Sequence, residues 1–583
     1  MKKPLLLLPI AFLTLAGHAQ TPGDKAWIIR SDSFTNKLVD LDKKYSAEFG
    51  SSEGLAAYDK EISVPTLANV LARRKEEEAL AASFTQALAV EKQPQVAQDL
   101  NILLTHLKQD FRRQDFELQR EVPFFNAASA IYNGLEILLD DQTSAGRHAA
   151  AVIRIRKYAG LEKGYRPITE ILEARTAEQI AKGEMIFPSK QKIEVQLSRN
   201  ATIMDGIPEL CKKFNLSGWE KPFAILRKQV ADYDQWIRDH VLTRARTDFR
   251  LPPEEYALDL DEYGVTIPPA DLATMAHAAF TDLQQQMSSI ATQIAQNRHL
   301  ASSDYRDVMR ELKKQQLHGD SILIVYEQHL KDIEAIIREH QIVTLPNRPA
   351  KIRLATAAET AQQPAPHMVA PPFLNNTGQH GVFVLPLNMP PQPGQTSGDK
   401  YDDFTFDAAS WTIIAHECRP GHELQFDKMV EEGVSKARAL YAFNSTNAEG
   451  WGLYSENLIL PYMPLEGQLV SLDYRMLRAA RAFLDPELQA GKVTQEQALA
   501  VLTNDVVCSP AFARSEVERY SVRAPGQANS YFFGYTKLIQ LRKDVESAMG
   551  DRFNALQFHD FILSQGLLPP DLIREAVMKE FVK

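Results

Sequence analysis

The stretch TIPPADLATMAHAAFTDLQQQMSSIATQI, residues 266–294, has the pattern that decides the fold class. Its prolines suit the first turn of a helix, where a missing backbone N–H costs little. Seven apolar residues then recur at spacings of three and four: Leu272, Met275, Ala279, Leu283, Met287, Ile290 and Ile294. This spacing places them on one face of an α-helix, and such a face normally packs into a core. We therefore predict a long helix with this face buried.

Similar periodicity extends over most of the chain and predicts a mainly α protein. It dominates from about residue 24 to 345 and resumes from about 405 nearly to Lys583. Further clear helical segments lie around 66–90, 95–120, 218–245 and 304–340. We expect an N-terminal helical region over 20–345 and a second region over 346–583, which could form one continuous unit.

The helical pattern is interrupted between residues 364 and 398, which are rich in Pro, Gly and Asn. Such a composition does not form a helix. Within it, GVFVLPLN (381–388) has the β-branched and aromatic content of a short strand. Pro386 lacks a backbone donor, which predicts that this strand lies at the edge of a sheet. A loop crossing the surface is the alternative.

The overall composition is that of a globular protein with no basic character. The chain has 583 residues, of which 44% are hydrophobic and 24% charged. Its 65 Lys and Arg residues against 75 Asp and Glu residues give a net charge of −10. Because nucleic-acid binding needs a basic surface, this balance argues against nucleic acid as the main partner.

The first 19 residues have the features of a signal peptide. MKK provides a positive start, PLLLLPIAFLTLAG an apolar stretch, and GHA a small-residue cleavage site near Ala19. The apolar stretch is short for a membrane-spanning helix, which is the alternative. No cysteine follows the predicted cleavage site, so a lipid anchor is not indicated. We expect an exported protein, periplasmic or secreted, without stable insertion in the membrane.

Export would place the three cysteines, Cys211, Cys418 and Cys508, in an oxidising compartment. An odd number leaves at least one thiol free or in an intermolecular bond. Whether Cys418 and Cys508 pair is open at this point.

The stretch HECRPGHELQ, residues 416–425, begins like a zinc-protease helix and then departs from it. That motif needs its second histidine four residues after the first, whereas His422 follows His416 by six. On a straight helix, positions six apart diverge by about 120°. Pro420 would interrupt the helical hydrogen bonds and Gly421 would permit unusual dihedral angles. We therefore predict a local bulge that brings His422 back over His416.

A third metal ligand is expected from NAEGWGLYSENL, residues 447–458. Glu449 and Glu456 are seven residues apart and so lie on nearly the same face of one helix. Catalytic zinc takes three protein ligands, and a further carboxylate often orients a histidine ligand. Glu449 fits the first role and Glu456 the second. Glu423 is a rival ligand, and a solvated amphipathic helix with two incidental histidines is the plain alternative.

Three blocks together resemble the signature of a bacterial family called domain of unknown function 885. They are HECRPGHELQ, EGWGLYSE (449–456) and RYSVRAPGQANSYFFGY (519–535), and LPPEEYALDLDEYGVTIPPADL (251–272) resembles the segment before the catalytic part. The family is similar to the gluzincin metallopeptidases of the thimet oligopeptidase and carboxypeptidase Taq kind. These enzymes are large, mostly helical and have a deep cleft. Glu423 is a departure, because many family members have a histidine there.

The resemblance implies a role for each matching residue. His416, His422 and Glu449 would bind zinc, and Glu417 would be the general base that takes a proton from activated water. Four further side chains are candidates for binding the oxyanion or the substrate: Tyr531, Tyr535, Tyr520 and Arg519. Tyr531 is favoured because it matches the family position, and Arg519 could instead bind a substrate carboxylate. Core packing of the aromatic rings and a structural ion pair for Arg519 are the alternatives.

Gluzincins commonly hold an extended peptide beside a strand that precedes the zinc helix. Gly381, Val382, Phe383 and Val384 are therefore predicted to bind substrate by backbone pairing.

Together these features predict an exported, mainly α-helical zinc hydrolase. The reaction expected from the resemblance is cleavage of short peptides in a deep cleft walled by the N-terminal helices. One alternative is a zinc amidohydrolase acting on non-peptide amides, and another is a non-catalytic exported binding protein. Manganese or cobalt could replace zinc, because imidazole and carboxylate ligands suit several metals.

Overall fold

The computed structural model describes residues 26–387 and 401–582. The predicted signal peptide, residues 1–19, and Asn388 lie outside this part of the chain. Within it, no helix combines the length and the apolar character that crossing a membrane requires.

The protein is mainly α-helical, which confirms the predicted fold class. The helices before residue 340 are α1 (Ala26–Tyr45), α2 (Ala47–Ser52), α3 (Leu67–Val90), α4 (Pro94–Arg120), α5 (Ala127–Glu136), α6 (Ala145–His148), α7 (Ala150–Tyr158), α8 (Ile168–Ile180), α9 (Lys190–Lys213), α10 (Glu220–His240), α11 (Pro253–Glu262), α12 (Pro269–Arg298), α13 (Tyr305–Lys313) and α14 (Ser321–Glu339). Those after it are α15 (Ala357–Gln362), α16 (Asp407–Glu417), α17 (His422–Lys428), α18 (Ser445–Ile459), α19 (Leu465–Gln489), α20 (Gln495–Asn504), α21 (Pro510–Glu518), α22 (Asn529–Met549), α23 (Ala555–Ser564) and α24 (Pro570–Phe581).

Helix α12 forms where the prolines and the apolar spacing predict it, but one residue of its predicted face is misplaced. Met275 is 43% exposed, so its assignment to the core was wrong. The buried face runs instead through Leu272, Ala276, Phe280, Leu283, Met287, Ala291 and Ile294. Its small residues allow α12 to pack closely along α19, and Phe280 meets Phe483 there edge-on at 5.6 Å.

Helix α19 is buried along nearly its whole length and contacts α12, α16 and α22. Among the described residues it belongs to the larger of two hydrophobic clusters, which extends from Leu38 to Val577. The smaller cluster is built mainly from residues 122–241, with Ala358 and Ala361. Both predicted regions contribute to the larger cluster. The boundary at residue 345 stays a prediction.

A small sheet contains β1 (Lys351–Leu354), β2 (His367–Val369) and β3 (Val382–Leu385). The strand predicted from composition is confirmed as β3, but its predicted edge position is wrong. Strand β3 is central, parallel to β1 on one side and antiparallel to β2 on the other. Pro386 follows the last paired residue, Leu385, so its missing N–H does not interrupt the ladder.

This pairing also corrects the predicted substrate-binding role of Gly381, Val382, Phe383 and Val384. Val382, Phe383 and Val384 pair with both neighbouring strands, and the N–H of Gly381 donates to Asp427 Oδ1 at 2.9 Å. All four residues are buried. Their backbone therefore cannot pair with an extended peptide.

Candidate metal centre

The predicted distortion between His416 and His422 is a complete helix break. Helix α16 ends at Glu417 and α17 begins at His422, with a cis Arg419–Pro420 bond between them. A Cβ atom at Gly421 would lie 1.8 Å from the carbonyl oxygen of His416, so this close return requires glycine. The two imidazole rings come within 4.7 Å, centroid to centroid. The sequence predicted this proximity correctly, although it predicted a bulge within a continuous helix.

Glu449 completes the cluster from α18. Its Oε2 atom lies 3.3 Å from His416 Nε2 and 3.4 Å from His422 Nε2. A tetrahedral zinc ion separates its ligand atoms by about 3.4 Å, so these two distances fit such a site. The three ligand atoms all lie within 4.8 Å of one another, and two imidazoles with one carboxylate form a donor set that zinc accepts. Burial would raise the pKa of Glu449, yet its hydrogen bonds with both histidines hold that pKa well below its usual range.

His416 is oriented from the far side of its ring. Its Nδ1 donates to Glu456 Oε1 at 2.8 Å, and Arg478 lies 3.1 Å from the same oxygen. The ring also packs against Gly452, where a Cβ atom would lie only 2.5 Å from His416 Cε1. These contacts leave Nε2 of His416 pointing at Glu449. Glu456 therefore occupies the supporting position that the sequence predicted.

Glu417 lies at the edge of the cluster. Its Oε1 atom is 4.0 Å from His416 Nε2, and the side chain is 12% exposed. Burial, with a contribution from the negative charge of Glu449, raises the pKa of Glu417 to about 8 against the opposing effect of His422. A cation in the cluster would favour the ionised carboxylate, because a nearby opposite charge lowers the pKa of an acid.

Tyr531 of the third sequence block packs near the cluster, and Arg519 contacts Tyr531. The Tyr531 ring lies 6.2 Å from the His416 ring and nearly parallel to it. Arg519 Nη2 donates to the Tyr531 hydroxyl at 2.8 Å and also to Gln527 Oε1. Gln527 Nε2 in turn lies 3.3 Å from Glu449 Oε1. Sequence reasoning missed Gln527 as an individual residue. Its place in the quoted block APGQANSY was the available signal.

Tyr520 and Tyr535 do not reach the cluster, which corrects their predicted roles. The Tyr520 hydroxyl is fully buried and donates to Glu516 Oε2 at 2.7 Å. The Tyr535 hydroxyl donates to Asn457 Oδ1 at 3.2 Å. Both hydroxyls are therefore committed to structural contacts.

Glu423 is not a metal ligand in this arrangement, so the rival interpretation is wrong. Its carboxylate pairs with Arg419 at 2.9 Å and with Arg348 at 2.6 Å. Burial would raise the pKa of Glu423, but these two arginines lower it. The three cysteines are all buried and free, so Cys418 and Cys508 are not paired.

The N-terminal region contacts the blocks that build the cluster. The carbonyl of Tyr263 accepts hydrogen bonds from the backbone and hydroxyl of Thr446, at the start of α18. Asp485 accepts from the Tyr256 hydroxyl and from the Gly526 N–H. Two cavities, of about 460 and 1110 Å³, lie elsewhere and are not lined by the three cluster residues or Glu417. A deep cleft over the cluster stays a prediction.

Fold and site together define a mainly helical protein with a largely buried His–His–Glu cluster at metal-ligand spacing. The chain belongs to the family described as bacterial protein of unknown function, DUF885, which matches residues 48–577. No curated protein matches it.

Two solved structures share the fold. One is described as a candidate lipoprotein of unknown function from Shewanella oneidensis; it is 18% identical, with a TM-score of 0.68, and the match covers 94% of this chain and 98% of that one. The other is a candidate lipoprotein from Colwellia psychrerythraea, 16% identical, with a TM-score of 0.69 and coverage of 95% and 98%.

Proposed function

We propose that this protein is an exported zinc-dependent hydrolase, specifically a metallopeptidase that cleaves short peptides. The observation that supports this most directly is the convergence of His416, His422 and Glu449 from three helices around one point. The carboxylate of Glu417 lies beside that point, as a general base requires.

Each residue has a task in this proposal. Bound zinc supplies Lewis acidity, which polarises a carbonyl group and lowers the pKa of water. Glu417 takes the proton from the attacking water and passes it to the leaving amine. The Tyr531 hydroxyl, which accepts a hydrogen bond from Arg519, would donate to the developing oxyanion. Glu456 keeps His416 in the ring orientation and tautomer that ligation needs.

Export is supported by two observations. The first 19 residues have the charge and apolar pattern of a signal peptide. The two similar solved structures are of proteins described as candidate lipoproteins, which are exported proteins.

The decisive experiment pairs metal analysis with a digest of a peptide library. The purified protein should contain about one equivalent of zinc and cleave library members detectably by mass spectrometry. A Glu417→Gln variant should keep its zinc and lose at least about a hundredfold of the turnover, the lower range for general-base catalysis. Glu580→Gln, at an exposed site in α24, is the matched control and should behave like the unaltered protein. Unchanged turnover in Glu417→Gln would remove Glu417 from this role.

A further inference from the structure

The smaller cavity, of about 460 Å³, is not lined by the residues of the candidate metal centre, but it shares a chain segment with it. Its walls include Glu117 of α4, Arg175 of α8 and Glu255 of α11. The segment 521–525 forms another wall and leads, two residues later, to Gln527 beside Glu449. The cavity and the cluster are thus built on opposite ends of one short segment.

Five side chains that line this cavity carry a buried polar atom without a hydrogen-bond partner. Arg175, which is 8% exposed, leaves both Nε and Nη1 without a partner, and Glu255, also 8% exposed, leaves Oε2. The others are Gln114 Oε1, Gln179 Oε1 and Arg523 Nε. A buried polar group that nothing satisfies destabilises the folded protein. The larger cavity lacks this feature: within the described residues, none of its lining side chains has such an atom.

The charges in the cavity are incompletely paired as well. Within residues 26–387 and 401–582, no carboxylate lies within 4.0 Å of the Arg175 guanidinium, and burial lowers the pKa of Arg175. On the other side, burial and the neighbouring Glu255 raise the pKa of Glu121 to about 8. The Arg175 guanidinium without a close carboxylate therefore shares one cavity with Glu121 and Glu255, and the charge of the lining Lys192 offsets the repulsion of those two carboxylates only in part.

We propose that this cavity binds a zwitterionic amino acid or dipeptide. Its carboxylate would pair with Arg175, whose planar guanidinium matches carboxylate geometry. Its ammonium group would lie between Glu121 and Glu255 and relieve the repulsion of the two carboxylates. A cavity of about 460 Å³ is in the size range of small-molecule sites. This site goes beyond the proposed hydrolase function and does not depend on it.

Isothermal titration calorimetry with L-alanyl-L-alanine tests the proposal. The full-length Glu417→Gln protein serves as receptor, and chromatography after the titration checks that the dipeptide is intact. Saturable binding at one site is expected, with alanine as a second probe. N-acetyl-alanyl-alanine lacks the ammonium group and alanyl-alanine amide lacks the carboxylate. Each should bind at least tenfold more weakly.

Three variants locate the binding. Arg175→Met should weaken dipeptide binding at least tenfold, whereas Arg310→Met, at an exposed position, should not. His422→Ala should leave the affinity unchanged, because it alters only the candidate metal centre. If Arg175→Met does not fold, Glu121→Gln and the two blocked peptides decide the question.

The proposal is overturned if the dipeptide does not bind at millimolar concentration, since ordered water would then satisfy the lining atoms. The proposal is also overturned if the blocked peptides bind as tightly as L-alanyl-L-alanine. It is overturned as well if Arg175→Met binds the dipeptide with full affinity, or if His422→Ala loses that affinity. A protein that hydrolyses nothing would still give the expected calorimetric signal. Failure of the hydrolase proposal and failure of this one are therefore separate results.

Discussion

His416 depends on Glu456, which accepts the hydrogen bond from its Nδ1 atom. A Glu456→Gln variant should therefore bind zinc about 10–100-fold more weakly, because the supporting carboxylate orients the ring and raises its basicity. Competition with a chromophoric chelator measures the affinity. Glu466→Gln, in an ion pair with Arg298 on another helix, is the control. An unaltered zinc affinity in Glu456→Gln would show that this contact does not support metal binding.

Gly452 sets the space available to the same imidazole. In Gly452→Ala the new methyl group would lie 2.5 Å from His416 Cε1, so the ring must move away from Glu449. We expect less zinc to remain bound after dialysis, as measured by elemental analysis. Gly146→Ala is the matched control, because a Cβ atom there meets nothing within 4 Å. Equal zinc retention in the two variants would contradict the expected displacement.

The three cluster residues could be predicted from the sequence because each prediction depended only on residues close by in the chain. The proline and glycine between the histidines indicated a break, and the seven-residue spacing of Glu449 and Glu456 placed both on one helix face. Spacing could not exclude Glu423 as a metal ligand, because Arg348, one of the residues that pair with its carboxylate, lies 75 residues earlier in the chain. A side chain's distant partners are set by tertiary packing, which a single sequence does not display.

For the helices and strands too, local sequence patterns predicted where the elements form, but not the contacts between elements that are distant in the sequence. Helices and the strand β3 were predictable from periodicity and composition. The pairing of β3 was not, because strands β1 and β2 are three or four residues long and lie up to 31 residues before it. In α12, the spacing of three and four residues placed Met275 in the core, but the close approach of α19 selects the smaller Ala276.

Helices α18 and α22 meet through glycines that the motif blocks contain. A Cβ atom at Gly534 would lie 2.0 Å from the carbonyl oxygen of Thr446 and 2.8 Å from Gly450 Cα. Gly534→Ala should therefore force the helices apart and destabilise the protein by about 1–3 kcal/mol, the usual cost of overpacking. A fall in the thermal midpoint relative to Gly146→Ala is the expected result. A midpoint equal to that of the control would mean that the helices separate without cost.

At the scale of the whole molecule, a buried ion pair joins the two predicted regions. Arg199 of α9 and Glu518 of α21 are each 6% exposed and lie 2.7 Å apart. Removing one partner leaves an uncompensated charge in the interior, which costs about 3–5 kcal/mol. Glu518→Ala should therefore lower the thermal midpoint clearly.

The double variant Arg199→Met/Glu518→Leu separates the ion pair from the packing. Apolar side chains of similar volume often replace a buried pair without loss, so this variant should regain the stability lost at Arg199. It should not regain all of it, because Arg523, whose Nε lies 3.6 Å from Glu518 Oε1, also loses a partner. Asp307→Ala, which breaks the exposed pair with Arg310, should leave the midpoint almost unchanged. If Glu518→Ala also melts like the unaltered protein, water must reach Arg199. The contact between α9 and α21 would then be hydrated, and it would not be a water-excluded link between the predicted N-terminal region and the region bearing the His–His–Glu cluster.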